Sequence, residues 1–120
     1  RTAVERGVKQ IILQHPFFKI PAMSIDQVKA LTSLGAVAEL DYCGISPFWA
    51  RKGQSLELMR QGIEKVGAEH FLLISDGGQR HNPLPPDCLR LLAQGFYEKG
   101  VTREELRTMM VTNTARILGI

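Results

Sequence analysis

A parallel α/β fold is expected from three short, nearly continuous apolar runs separated by stretches of helical periodicity. The runs are VKQIILQ at 8–14, GAVAELDY at 35–42 and HFLLIS at 70–75. Runs that are apolar almost throughout suit strands covered on both faces. The segments between them are long enough to bring the chain back for parallel pairing.

Each element has a local reason. Arg1 to Arg6 reads as the last turns of a helix closed by Gly7, a residue that tolerates positive φ. Val8 to Gln14 carries Val8, Ile11, Ile12 and Leu13, and the breaker His15-Pro16 stops it, so it is predicted as a strand. After the loop HPFFKIPAM, Ser24 and Gln27 have capping-box spacing, and Val28, Leu31 and Leu34 give the helix one apolar face up to Gly35.

Ala36 to Tyr42 is the second predicted strand, followed by the loop CGISPFWARKGQ. Leu56, Met59, Ile63 and Val66 mark an amphipathic helix that ends at Gly67. Phe71 to Ser75 is the third strand, and its exit is DGGQRHNPLPPD. Pro85 and Pro86 suit the entry of a helix carrying Leu89, Leu92 and Phe96 and closed at Gly100. Thr102 and Glu105 form a second capping box, predicting a helix to about Val111 and a short last turn from Asn113 to Leu118.

With 120 residues, 44% hydrophobic and 22% charged, the composition is that of one globular domain. The 15 Lys and Arg are scattered, which argues against a nucleic-acid surface. No apolar stretch approaches the roughly 20 residues that span a bilayer. RTAVERGVKQ lacks a signal-peptide core, so a cytoplasmic location is expected. Cys43 and Cys88 have no CxxC spacing and are expected to be reduced.

The candidate chemistry lies at the strand ends. His15, Glu39, Asp41 and Asp76 sit at or just beyond the C-terminal ends of the three runs, the edge where parallel α/β proteins bind ligands. Strand alternation places Glu39 and Asp41 on one side and Ala38 and Leu40 on the other, so the acids should face away from the helices. An ion pair at Glu39 and a loop role for Asp41 are the structural alternatives.

In SDGGQ, Asp76 is placed for metal binding or general-base work, and Gly77 and Gly78 permit a tight turn. Gln79 and Asn82 offer neutral hydrogen-bonding groups, and His81, in the exit loop, is either a substrate contact or a solvated loop histidine. His70, before the third strand, reads as structural. Arg51 and Lys52 are candidate anion contacts; Tyr42, Phe48 and Trp49 either line a pocket or pack. A phosphate cradle is disfavoured because no GK[ST] follows the glycines.

The order HPFF, GAVAELDY, HFLLISDGGQ and a helical tail ending NTARILGI resembles the last three units of the metal-dependent amidohydrolase superfamily. TatD-like and phosphotriesterase-like hydrolases are similar, as are amidohydrolase-related proteins with HPF and SD-x-GQ signatures. The resemblance covers nearly the whole chain and rests on the order and spacing of short motifs.

It implies strands six to eight of a (β/α)8 TIM-type barrel plus a C-terminal helix. Residues 1–120 would then be one domain, the C-terminal fragment of a larger barrel. His15 matches the histidine that ends the sixth strand, often a metal ligand. Asp76 matches the aspartate ending the eighth, which contacts metal and accepts a proton from the attacking water. The HxH pair of the first strand and the Lys, Glu or His of the middle strands are absent. Thr114 stands where the family usually has proline.

The expected function is hydrolysis of amide, ester or phosphoester bonds with a divalent metal, zinc or manganese. Asp76 is the expected catalytic base and ligand, and His15 the second ligand. Glu39, Asp41, Gln79, His81 and Asn82 are the expected contacts to a small-molecule substrate. This chain alone is expected to be inactive or weakly metal-binding, and to associate with itself through exposed sheet edges. The alternative from another class is a non-catalytic small-anion-binding domain on a barrel scaffold.

Overall fold

The computed structural model describes residues 2–48 and 54–120. Its elements run α1 (Thr2–Glu5), β1 (Ile11–Leu13), α2 (Ile25–Thr32), β2 (Ala36–Asp41), α3 (Leu56–Val66), β3 (Phe71–Ile74), α4 (Pro85–Glu98), α5 (Arg103–Arg107) and α6 (Asn113–Leu118). The three strands form one parallel sheet in the order β1-β2-β3 with flanking helices. This is the expected α/β class, and its strand-helix units are compatible with β/α units. No helix among the described residues is long and apolar enough to cross a membrane.

The helix boundaries follow the predicted signals. Ser24 caps α2, its hydroxyl accepting from Gln27 N while Gln27 Oε1 accepts from Ser24 N. Thr102 and Glu105 do the same for α5. Each box satisfies amides that the first helical turn leaves unpaired. Gly67 ends α3 at φ 105°, a conformation that side-chain-bearing residues rarely adopt.

Two boundaries differ from expectation. β1 pairs over Ile11–Leu13 only, because its first partner is Ala36, the residue after the turn at Gly35; Val8 to Gln10 have no β2 residue opposite them. The tail from Arg103 onward is not an α-helix up to Val111. A π-helical turn, Thr108–Thr112, joins α5 to α6, and within it Asn113 N donates to Thr108 O. Met109 and Asn113 are both buried across this wider turn.

The core lies on one face of the sheet. Ala38 and Leu40 of β2, with Phe71 and Leu73 of β3, pack with Val28, Met59, Ile63, Leu92 and Phe96 of α2, α3 and α4. Phe17, from the HPFF loop, is 2% exposed and joins that cluster. At the crossing of α3 and α4, a Cβ on Gly95 would stand 2.9 Å from a Leu56 methyl, so the glycine permits the close approach.

The opposite face carries Ile12, Val37, Glu39, Asp41, Leu72 and Ile74, since in-register partners in a parallel sheet share a side. The predicted split of β2 into an apolar face and an acid-bearing face is therefore observed. Ile12 on this face is 43% exposed.

The tail is latched to the N-terminal end of the sheet. Asn113 Nδ2 donates to Ala68 O and Phe71 O at 3.0 and 2.7 Å, and Arg116 donates to Glu69 O. Gln10 Nε2 donates to Ile117 O, which ties the approach to β1 to the same helix. His70 lies at this end, as its structural reading required.

Candidate functional site at the strand ends

Two residues past the end of each outer strand, the backbone takes the same unusual turn. His15 follows β1 with φ 30° and Asp76 follows β3 with φ 43°. Ala22 is the only other non-glycine residue with positive φ among the described residues. This region is disfavoured for side-chain-bearing residues, and such outliers gather at functional sites. The central strand brings Glu39 and Asp41 between these ends.

The His15 ring stacks on Phe18, with centroids 4.5 Å apart and planes at 24°. Pro16 and Phe17, both buried, anchor the loop, and His15 O accepts from Phe18 N at 3.1 Å. His15 Nδ1 is buried without a hydrogen-bond partner. The histidine is thus oriented by packing, with a ring nitrogen left over for something else.

Asp41 is fully buried and its carboxylate is occupied. Oδ1 accepts from Gly44 N at 2.8 Å, closing the short 3₁₀ turn Cys43–Ile45, and Oδ2 accepts from Gln54 Nε2 at 2.9 Å. Burial pushes its carboxyl pKa up, with Asp76 adding to the rise. The bonds from Gly44 and Gln54, together with the charge of His15, oppose it. Asp41, expected as a substrate contact, is paired within the loop it caps.

Glu39 is less buried, and its Oε2 has no partner. Desolvation raises its pKa first; Asp41 and Asp76 raise it further, while His15 lowers it. Three carboxylates and one imidazole therefore feel one another's charge at this edge.

The loop after β3 is held to the loop after β2. Asn82 Oδ1 accepts from the buried Ser46 hydroxyl at 2.6 Å. Asn82 Nδ2 donates to Gln79 Oε1, and Gln79 Nε2 donates to Asp76 O. Gln79 and Asn82, expected to touch substrate, are used in shaping the turn that carries Asp76. Asp76 and His81 are exposed at the lip.

Cys43 adjoins this loop, its Sγ 3.8 Å from Asn82 Nδ2, and burial pushes its thiol up to about 11. It stays protonated at neutral pH and is not a nucleophile there. Tyr42 packs in the core and Phe48 is 60% exposed. Trp49, Arg51 and Lys52, the remaining candidates for a pocket wall or an anion contact, lie outside the described residues.

Gln54 and Gly44 carry no sequence signal of their own. Gln54 is 8% exposed, and its amide bonds to Asp41 from 13 positions away. Gly44 is buried where an added Cβ would overlap the Gln54 amide and the Phe18 ring. A short-range motif would not have joined residues separated by a loop. Two clefts, of ≈ 640 and ≈ 600 Å³, lie elsewhere: one beside Gly67 and Thr108, the other along Leu89, Tyr97 and Met110.

The expected divalent metal fits this chain incompletely. Among the described residues, no group of three or more His, Cys, Asp or Glu side chains is placed to hold a metal ion. His15 and Asp76 by themselves are too few for a zinc site. No family model, curated protein or solved structure matches the chain.

Proposed function

We propose that this chain carries the His15 and Asp76 part of a hydrolase centre, in a fold whose three strand-helix units continue as a (β/α)8 barrel. The carrying observation is the paired left-handed turns that end β1 and β3, which bring an imidazole and a carboxylate to the ligand-binding edge on either side of Glu39.

In this reading, Asp76 takes a proton from the attacking water. It is exposed, acceptor-only when ionised, and sits on a turn fixed by Gln79. His15, held by Phe18, orients the substrate or offsets developing negative charge. A divalent ion would need ligands beyond these two, so no step is assigned to it.

The small-anion alternative is disfavoured by the site's own charge, because Glu39, Asp41 and Asp76 repel an anion. The test is hydrolysis of a panel of amides, esters and phosphoesters by the intact barrel that this reading requires, before and after adding zinc or manganese. Turnover that falls by orders of magnitude in Asp76→Asn supports the reading. No hydrolysis under any condition overturns it.

A further inference from the structure

A cleft of ≈ 600 Å³ lies between α4 and the tail, away from the strand ends. Pro86, Leu89, Ala93 and Tyr97 line it at spacings of three and four residues, so a single stripe of α4 forms one wall. Leu106 of α5 and Met110 of the π-helical turn form the other. Leu89, Leu106 and Met110 are half-buried, packed against the core on one side and open to the cleft on the other. None of these residues belongs to the strand-end cluster, so the cleft stands independently of the hydrolase reading.

Its charge has one sign. Arg90 and Arg103 line the cleft, and no Asp or Glu does among the described residues. Arg90 is already engaged, its Nη1 donating to Asp87 Oδ1 at 2.8 Å. Arg103 lies over the Tyr97 ring, 5.6 Å from its centroid, and has no ion-pair partner among the described residues. A guanidinium whose face rests on a ring keeps its in-plane N–H groups free, in a fork that matches a carboxylate. The cleft beside Gly67 differs: Arg60 there is bonded to Glu57 and Glu64, and Lys99 lies 3.5 Å from Glu57.

We propose that the cleft between α4 and the tail binds a fatty monocarboxylate, its hydrocarbon chain against Leu89, Ala93, Leu106 and Met110 and its carboxylate on Arg103. A volume of ≈ 600 Å³, mostly apolar with a few placed polar groups, is that of a small-molecule site. From Pro86 to Tyr97 the stripe runs three turns, roughly 16 Å, which suits an extended chain. One unpaired cation matches a single negative charge, whereas a phosphate dianion calls for clustered cations. Apolar burial supplies the affinity and Arg103 the choice of head group.

The test is a titration of the protein carrying ¹³C-methyl methionine with decanoate below its micellar concentration, and with decyltrimethylammonium and acetate in turn. Met110 reports on the cleft, and Met59, fully buried in the core, is the internal reference. Decanoate is expected to move the Met110 methyl resonance saturably and to leave Met59 in place. Acetate, which has no chain, should move neither, and decyltrimethylammonium should bind at least fivefold more weakly than decanoate. Arg103→Gln is expected to weaken decanoate about fivefold and to leave decyltrimethylammonium unchanged. Ala93→Phe, which fills the cleft, should abolish the Met110 shift while the Met59 resonance stays native.

The inference is overturned if decanoate moves Met110 no more than Met59, or if decyltrimethylammonium binds as tightly. It is equally overturned if Arg103→Gln leaves the affinity for decanoate unchanged. A Met110 resonance that moves with protein concentration alone would assign the cleft to a second copy of the chain instead.

Discussion

Glu39→Gln should make the protein more stable at neutral pH while impairing the site. In the native chain the Glu39 carboxylate loses solvent, has an unpaired Oε2, and faces Asp41 and Asp76 with only His15 in compensation. An unsatisfied buried polar group costs ~1–3 kcal/mol. Gln keeps a polar group in the same place, so what the substitution relieves is the part of that cost that belongs to the charge, held by solvent screening to the low end, about 1 kcal/mol. With unfolding entropy near 2.1 cal/mol/K per residue, that gain raises the Tm of a chain this size by about 4 °C.

The pH dependence has a definite sign. The folded-state pKa of Glu39 is raised above 4.5, so the folded chain holds a proton that the unfolded chain has released. The native protein's disadvantage is therefore absent below the ordinary carboxylate range and grows as pH rises through the folded pKa. Asp41 shifts in the same direction in both proteins and largely cancels in the difference. Thermal unfolding of the pair from pH 4 to pH 8 should show the variant's advantage opening upward with pH. A variant less stable at pH 7, or a difference flat across that range, would refute the electrostatic account of the site.

Asp41→Ala strands the Gly44 N–H and the Gln54 amide while removing a buried charge; a net loss of about 2 kcal/mol is expected in urea unfolding. An unchanged urea midpoint would mean that the carboxylate is not holding its loop. Asn113→Ala should cost ~1–3 kcal/mol by leaving the Ala68 and Phe71 carbonyls without their donor. Asn113→Asp should cost more, because it sets an acceptor against two acceptors; calorimetry ranks the two. Cys43 and Cys88 are buried with raised thiol pKa values, so a thiol reagent at pH 8 should label them only at the rate of unfolding, whereas rapid labelling in the folded protein would contradict their placement.

What could be read from the sequence was local or periodic. The two capping boxes span four residues each, Gly67 and the Pro85-Pro86 pair act on their own backbone, and the sidedness of Glu39 and Asp41 needs only the alternation of a strand. What could not be read depends on distant partners. β1 is cut short by where β2 begins, and the π turn forms where the tail meets the carbonyls at Ala68 and Phe71. The bond of Asn82 to Ser46, 36 positions away, is of this kind. A residue's hydrogen-bonding type is visible in the sequence; whether that capacity is already spent is a tertiary fact.

The two buried carboxamides make the distinction concrete. Asn113, at the N-terminal end of the sheet, donates to two carbonyls and its Oδ1 accepts from Arg116 at 3.3 Å, so its capacity is used to fasten the tail. Gln54, at the opposite end, donates twice to Asp41 and leaves Oε1 unmet. Both are more than nine-tenths buried, so degree of burial does not separate them. What differs is the end of the sheet: in parallel α/β folds the N-terminal edge serves stability, and the C-terminal edge meets ligands. At the second edge Gln54 Oε1 and the His15 ring nitrogen are both left without a partner, whereas at the first the buried amide is fully used.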